Sequence, residues 1–145
     1  MNTTPHHPFF VMNFRLTTLC FFLVSVCAGF AADLTAEEKQ FLDAYVKIGA
    51  ALTADNLAGA KEAAAQIGEG GAALAKSDKI AAARAEYEKL SARAIELGGG
   101  RDGYYVVNCP MLRKDWLQPA GKIANPYAGS TMPECGAIRK QPKRE

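Results

Sequence analysis

The sequence predicts an all-α fold: an antiparallel three-helix bundle, up-down-up, followed by a short C-terminal strand and an ordered loop carrying cysteine and methionine. Three observations point to it. Residues 35–97 are rich in alanine, glutamate and lysine; their apolar residues recur with a helical period; and the breaks between periodic runs are short. Alanine-rich faces let helices approach closely, and three amphipathic helices need one another's apolar sides to persist in water.

Ahead of the helices, "FRLTTLCFFLVSVCAGFAAD" carries one positive charge, Arg15, then an apolar run from Leu16 to Val26, then small residues. That layout is a secretory signal peptide, and the run is short for a membrane span of ~20 residues. Cleavage is expected after Ala31, with Gly29 and Ala31 at the small-residue positions. The alternatives are an uncleaved anchor, or lipid attachment at Cys27, where Val26 occupies a place that favours a small residue. "MNTTPHHPFFV" resembles no leader, so Met12 is the expected translation start. The chain divides into an exported leader, residues 1–31, and one domain, residues 32–145.

Helix one, "TAEEKQFLDAYVKIGAAL", opens with Thr35 and Glu38 in capping-box spacing. Phe41, Leu42, Tyr45, Val46, Ile48 and Leu52 then keep one face apolar. Asp55 is placed to cap helix two, "NLAGAKEAAAQIGEGGAALAK", which Gly68, Gly70 and Gly71 should kink or break, at about 1 kcal/mol each relative to alanine. Ser77 or Asp78 can cap helix three, which runs to Leu97 with Ile80, Tyr87, Leu90, Ala94 and Leu97 as its stripe. The glycines at 98–100 end it. After Gly103 alanine becomes scarce. "YYVVN" has strand-forming residues, and "QPAGKIANPYAGSTMPECG" reads as an ordered loop, with Asn125 held extended by Pro126. Chemistry is expected in this segment, residues 104–138, on a loop carried by a rigid scaffold.

Loss of the leader would remove His6, His7, Cys20, Cys27, Met1 and Met12, leaving two cysteines, two methionines and no histidine. It would also remove Arg15, leaving 16 basic against 15 acidic residues. That balance argues against a nucleic-acid partner, and the basic tail "IRKQPKRE" reads as solubilising. Without histidine the usual general base, the nucleophilic triads and the common zinc and blue-copper ligand sets are excluded. No C-x-x-C pair is present. An enzyme is not expected.

What remains is sulfur. Cys109, Met111, Met132 and Cys135 fall within the 27 residues from 109 to 135. If the chain is extended, Cys109 and Met111 share a face; Met132 and Cys135 can converge across a turn. Thiolate and thioether are soft donors that select Cu(I), and by the same softness Ag(I), with Arg113 or Lys114 near enough to offset negative charge. Alternatively Cys109 and Cys135 form a structural disulfide, worth ~3 kcal/mol in the chain-entropy model, and the methionines are adaptable fillers. Composition and spacing leave both open, with the disulfide ahead.

The segments "LTADNLAGAKEAAAQIGEG", "AARAEYEKLSARAIEL" and "YYVVNCPM…WL…IANPYAGSTMPECGAI" resemble a bacterial exported domain family of unknown function. That family occurs alone and at the end of periplasmic adaptor subunits of heavy-metal efflux pumps. Its signature matches at Cys109, Pro110, Met111, Trp116, Leu117, Asn125, Pro126, Tyr127, Gly129, Met132, Cys135 and Gly136. The resemblance implies a periplasmic protein that handles copper or silver through Cys109, Met111, Met132 and Cys135, beside an efflux adaptor or another metal-handling partner. It raises the metal reading above the disulfide. Two departures stand out. Asn108 replaces a histidine that often precedes the first cysteine, and "LRKD" is shorter than usual. Trp116 is expected to pack the loop onto the helices, or to lie against a bound cation; Tyr127 should pack there too.

Overall fold

The computed structural model describes residues 33–139 together with Met1. The expected signal peptide, cleavage site and Met12 start, and the end of the basic tail, lie outside the described residues. Helix α1, Ala36–Thr53, begins as expected. Glu38 N–H donates to Thr35 Oγ1 (3.2 Å), and Thr35 N–H donates to Glu38 Oε2 (2.8 Å). Thr35→Ala should therefore cost about 1 kcal/mol, read from urea unfolding. Phe41, Leu42, Tyr45, Ile48 and Leu52 bury the inner face of α1.

Helix two does break at its glycines. Helix α2, Leu57–Ala65, passes through a 3-10 turn, Gly68–Gly71, into the single-turn helix α3, Ala72–Ala75. Its cap is Asn56, whose Oδ1 accepts Gly59 N–H at 3.0 Å, rather than Asp55. Helix α4, Ile80–Gly98, starts after Lys79 with no side-chain cap, because the Ser77 hydroxyl donates backwards to the Ala73 carbonyl. Its most buried stripe is Ala83, Tyr87, Ser91, Ala94 and Gly98, one step round from the bulkier residues expected to face inward. Ile80, Leu90 and Leu97 pack at its margins. Small residues on this stripe let α1 come close, and Tyr45 stacks on Tyr87 with ring centroids 4.6 Å apart.

The all-α expectation is wrong. Among the described residues four helices are joined by a three-stranded antiparallel sheet, so the fold is mixed α/β. Strand β1, Tyr104–Cys109, is the strand "YYVVN" predicts. It pairs with β2, Lys114–Pro119, and on its other side with the two-residue strand β3, Ala137–Ile138, in the order β2-β1-β3. The short "LRKD" stretch is where the hairpin turns. Residues 110–113 connect Cys109 to its register partner Lys114, with Arg113 left-handed at φ 54°.

Strand β2 lies against α4 and α1. Leu117 rests on Gly98 of α4, and its N–H donates to Tyr45 Oη at 3.2 Å. Leu117, Val106 and Val107 are buried with Trp116 in the same core as the helices. None of the described helices is long and apolar enough to cross a membrane.

Candidate dithiol site

Strand β1 presents alternate residues to opposite faces, which puts Val107 and Cys109 on one side and Val106 and Asn108 on the other. Trp116 stands opposite Val107 in register and shares its face. The C-terminal loop closes over that face. A Cβ on Gly136 would meet Val107 Cγ1 at 2.8 Å, Trp116 Cη2 at 2.9 Å and Ile123 Cγ2 at 3.2 Å. Only a residue without a side chain lets the backbone come down so far, and Cys135 comes down with it.

Asn125 holds the loop in place. It is completely buried. Its Nδ2 donates to the Cys135 carbonyl (2.8 Å), and its Oδ1 accepts the N–H groups of Tyr127 (2.9 Å) and Ala128 (3.1 Å). Its own N–H donates to the Pro133 carbonyl at 2.7 Å. One amide thus ties both ends of the loop, and the Asn-Pro dipeptide, a turn-initiating pair, was its signal in the sequence.

The result is a contact between the two cysteines. Cys109 Sγ and Cys135 Sγ lie 3.1 Å apart as free thiols, Cys109 buried and Cys135 half-buried. Forming a bond would need an approach of only about 1 Å. Burial pushes the Cys109 thiol up, but hydrogen bonds from Cys135, from the Leu112 and Met111 N–H groups and from the Asn125 amide outweigh it, and the thiol falls below its usual value. Cys135 moves the other way, because its proton is held by the bond to Cys109, and burial adds to the effect. Of the two thiols, Cys109 is therefore the one that gives up its proton first.

The methionines are placed differently from each other. Strand β1 ends at Cys109 and the chain turns at Pro110, so the shared-face argument for Met111 does not apply. Met111 sits in the hairpin turn and is 71% exposed. Met132 is half-buried, one turn before Cys135, whose N–H donates to the Met132 carbonyl at 3.2 Å. Among the described residues no three His, Cys, Asp or Glu side chains gather as a metal site, so a cation here would rest on two thiols and on thioethers. Lys114, expected like Arg113 to offset negative charge, pairs with Glu88 of α4. Asn108 donates to Asp115 Oδ1 at 2.7 Å on the far face of the strand. A histidine at 108 would point away from Cys109 in this fold. Trp116 packs as expected, edge-on to Tyr127 at 6.1 Å.

A second feature clamps the loop to the helices. Asp55, left-handed at φ 54°, accepts Ser130 N–H (2.9 Å) and the Ser130 hydroxyl, and pairs with Arg84. Arg84 also donates to the Pro126 carbonyl (2.8 Å) and the Leu52 carbonyl (3.0 Å). Gly129, at φ 57°, passes so close that a Cβ would strike both Arg84 and Asp55. The Ser130 hydroxyl and N–H, then Arg84, hold the Asp55 carboxyl at about 2, below its ordinary 3.8. Depression of a carboxyl in the folded state adds stability above its unfolded value, and that stability is lost as pH falls through the folded one. The domain should therefore lose thermal stability between about pH 4 and pH 2. In Asp55→Asn that part of the pH dependence should vanish, which melting curves across this range would show.

Comparison with protein-family models, with curated proteins and with solved structures finds no match to this chain.

Proposed function

We propose that the protein binds a soft monovalent cation, Cu(I) or Ag(I), through Cys109 and Cys135, with Met132 and Met111 as thioether donors. It acts in the periplasm as a carrier or buffer beside a heavy-metal efflux adaptor. The observation that carries this reading is the 3.1 Å contact between two free thiols whose positions are set by the hairpin and by Asn125. The donor set suits the ion: thiolate and thioether favour soft cations over hard ones. The N–H groups of Met111 and Leu112 and the Asn125 amide face Cys109 and offset the charge of a thiolate there. The resemblance of the C-terminal signature to the efflux-associated family supplies the setting and the partner.

The test is competition for Cu(I) between the reduced protein and a chelator of known affinity. Cys109→Ser with Cys135→Ser should weaken binding at least 100-fold, about 2.7 kcal/mol. Unchanged affinity would sink the reading. Met132→Leu should weaken it less, by roughly tenfold, about 1.4 kcal/mol.

The same contact favours a second reading, a disulfide-locked interaction module with no metal role. Mass spectrometry of freshly isolated protein separates the two, since the locked form is two hydrogens lighter than the dithiol.

A further inference from the structure

We propose that Cys109 and Cys135 form a reversible dithiol/disulfide couple in which Cys135 is the sulfur that exchange partners attack, and whose oxidation closes the cation site. The last clause rests on the soft-cation reading; the couple itself does not.

Two placements carry it, and the donors around Cys109 support them. The sulfurs already touch at 3.1 Å, so closing the bond asks little of the backbone on either side. Access is unequal: Cys109 is wholly buried at the end of β1, while Cys135 is half-buried on the loop surface. An incoming thiol can therefore reach only Cys135. Donors are unequal too. Hydrogen bonds from the Met111 and Leu112 N–H groups and from the Asn125 amide favour charge on Cys109, in keeping with the order of attack that access sets.

The exchange partner is a protein or small-molecule dithiol in one direction and its disulfide in the other. In reduction, a partner thiolate attacks Cys135 Sγ. A partner–Cys135 disulfide forms, the Cys109–Cys135 bond breaks, and its electron pair leaves on Cys109 Sγ. The partner's second thiolate then attacks the partner sulfur of the mixed disulfide and releases Cys135, which takes up a proton, as does Cys109 when the pair returns to its dithiol form. The protein gains two electrons and two protons, and the partner loses them as its own disulfide forms. Leaving-group stability governs such exchange, and a sulfur facing N–H donors leaves well. Because the same two sulfurs are the thiolate donors for a soft cation, a closed bond leaves only thioethers to bind it.

The experiment uses the full chain with Cys20→Ser and Cys27→Ser, so that the pair are its only cysteines. It is equilibrated in glutathione redox buffers, quenched with acid and weighed. Oxidising buffers should yield a monomer two hydrogens lighter, with both thiols lost together. Timed with an aromatic disulfide reagent, Cys109→Ala, which keeps Cys135, should react at least about tenfold faster than Cys135→Ala. In silver titrations the reduced chain should take one equivalent and the oxidised chain none. Glutathione adducts or covalent dimers in place of the internal bond overturn the couple. Faster reaction of Cys135→Ala overturns the order of attack, and equal silver binding by both forms overturns the closure. A reduced chain that takes no silver overturns the soft-cation reading and the closure with it, a result distinct from failure of the couple, which is read by mass.

Discussion

Trp116→Ala is expected to lower the unfolding free energy by about 3–5 kcal/mol, a large part of the 5–15 kcal/mol usual for a domain. Trp116 is almost completely buried. Its ring meets Tyr127 edge-on, and its Cη2 underlies Gly136. Its Nε1 donates to Gln118 Oε1 at 3.1 Å, and that same oxygen accepts Ala124 N–H at 3.1 Å. Alanine would leave a cavity under the loop as well as a lost aromatic contact, and cavities in such cores close only in part. Trp116→Phe should cost less, since Gln118 keeps its bond to Ala124 and the loop keeps an aromatic floor. Urea unfolding of the reduced chain measures both. A loss under 1 kcal/mol in the alanine variant would show that the loop is anchored elsewhere. In the folded alanine variant Cys135 should also alkylate faster, because Gly136 loses the surface it rests on.

Ser91→Ala is the second large effect, expected at about 1–3 kcal/mol although it removes a single oxygen. A chain of donors crosses the core here. Leu117 N–H donates to Tyr45 Oη, Tyr45 contacts Ser91 Oγ at 2.8 Å, Ser91 contacts Tyr127 Oη at 2.8 Å, and Tyr127 donates to the Asp115 carbonyl at 3.3 Å. Each hydroxyl has one proton, and Ser91 can place its own on the Tyr87 carbonyl (3.0 Å) or on Tyr127 Oη. Alanine removes the hydroxyl that Tyr45 and Tyr127 share, and the fully buried Tyr45 has no water to turn to. Tyr45→Phe should cost a similar amount: Ser91 retains Tyr127 and the Tyr87 carbonyl, but the buried Leu117 N–H loses its acceptor. If Ser91→Ala proved as stable as wild type, the chain would be a consequence of packing rather than a contributor to it. Burial, more than any neighbour, pushes Tyr45 up to about 12. Stability is thus complete below the unfolded value of about 10 and falls as pH rises through 12.

The helices were legible because each carries its signal locally. Thr35 and Glu38 lie three apart, the apolar residues of α1 repeat every turn, and the glycines at 68–71 interrupt helix two where the structure does. The sheet was not legible, for reasons visible in its strands. In "KDWLQP" three consecutive residues, Trp116, Leu117 and Gln118, are buried, because helices cover one face and the loop the other. A strand covered on both sides loses its alternation, and lysine, aspartate and proline argue against a strand at all. Strand β3 has two exposed residues and exists only by pairing with β1. At the site, the two cysteines were found and their meeting was not. Spacing permits convergence, but Asn125 and Gly136 produce it through contacts that no local pattern encodes. Asp55 read as a helix cap because it precedes one; its meeting with Ser130 joins residues 75 positions apart.

That separation sets an order of events during folding. The capping box and the β1–β2 hairpin join near neighbours and can form early, whereas the Asp55–Ser130 and Tyr45–Leu117 contacts span 75 and 72 residues and must wait for large loops to close. The C-terminal loop docks onto a surface that the helices and the hairpin supply together. Until it docks, Cys135 is not held against Cys109 and the thiols behave as two separate groups on a mobile chain. The pair, and whatever chemistry it supports, is a property of the finished protein alone.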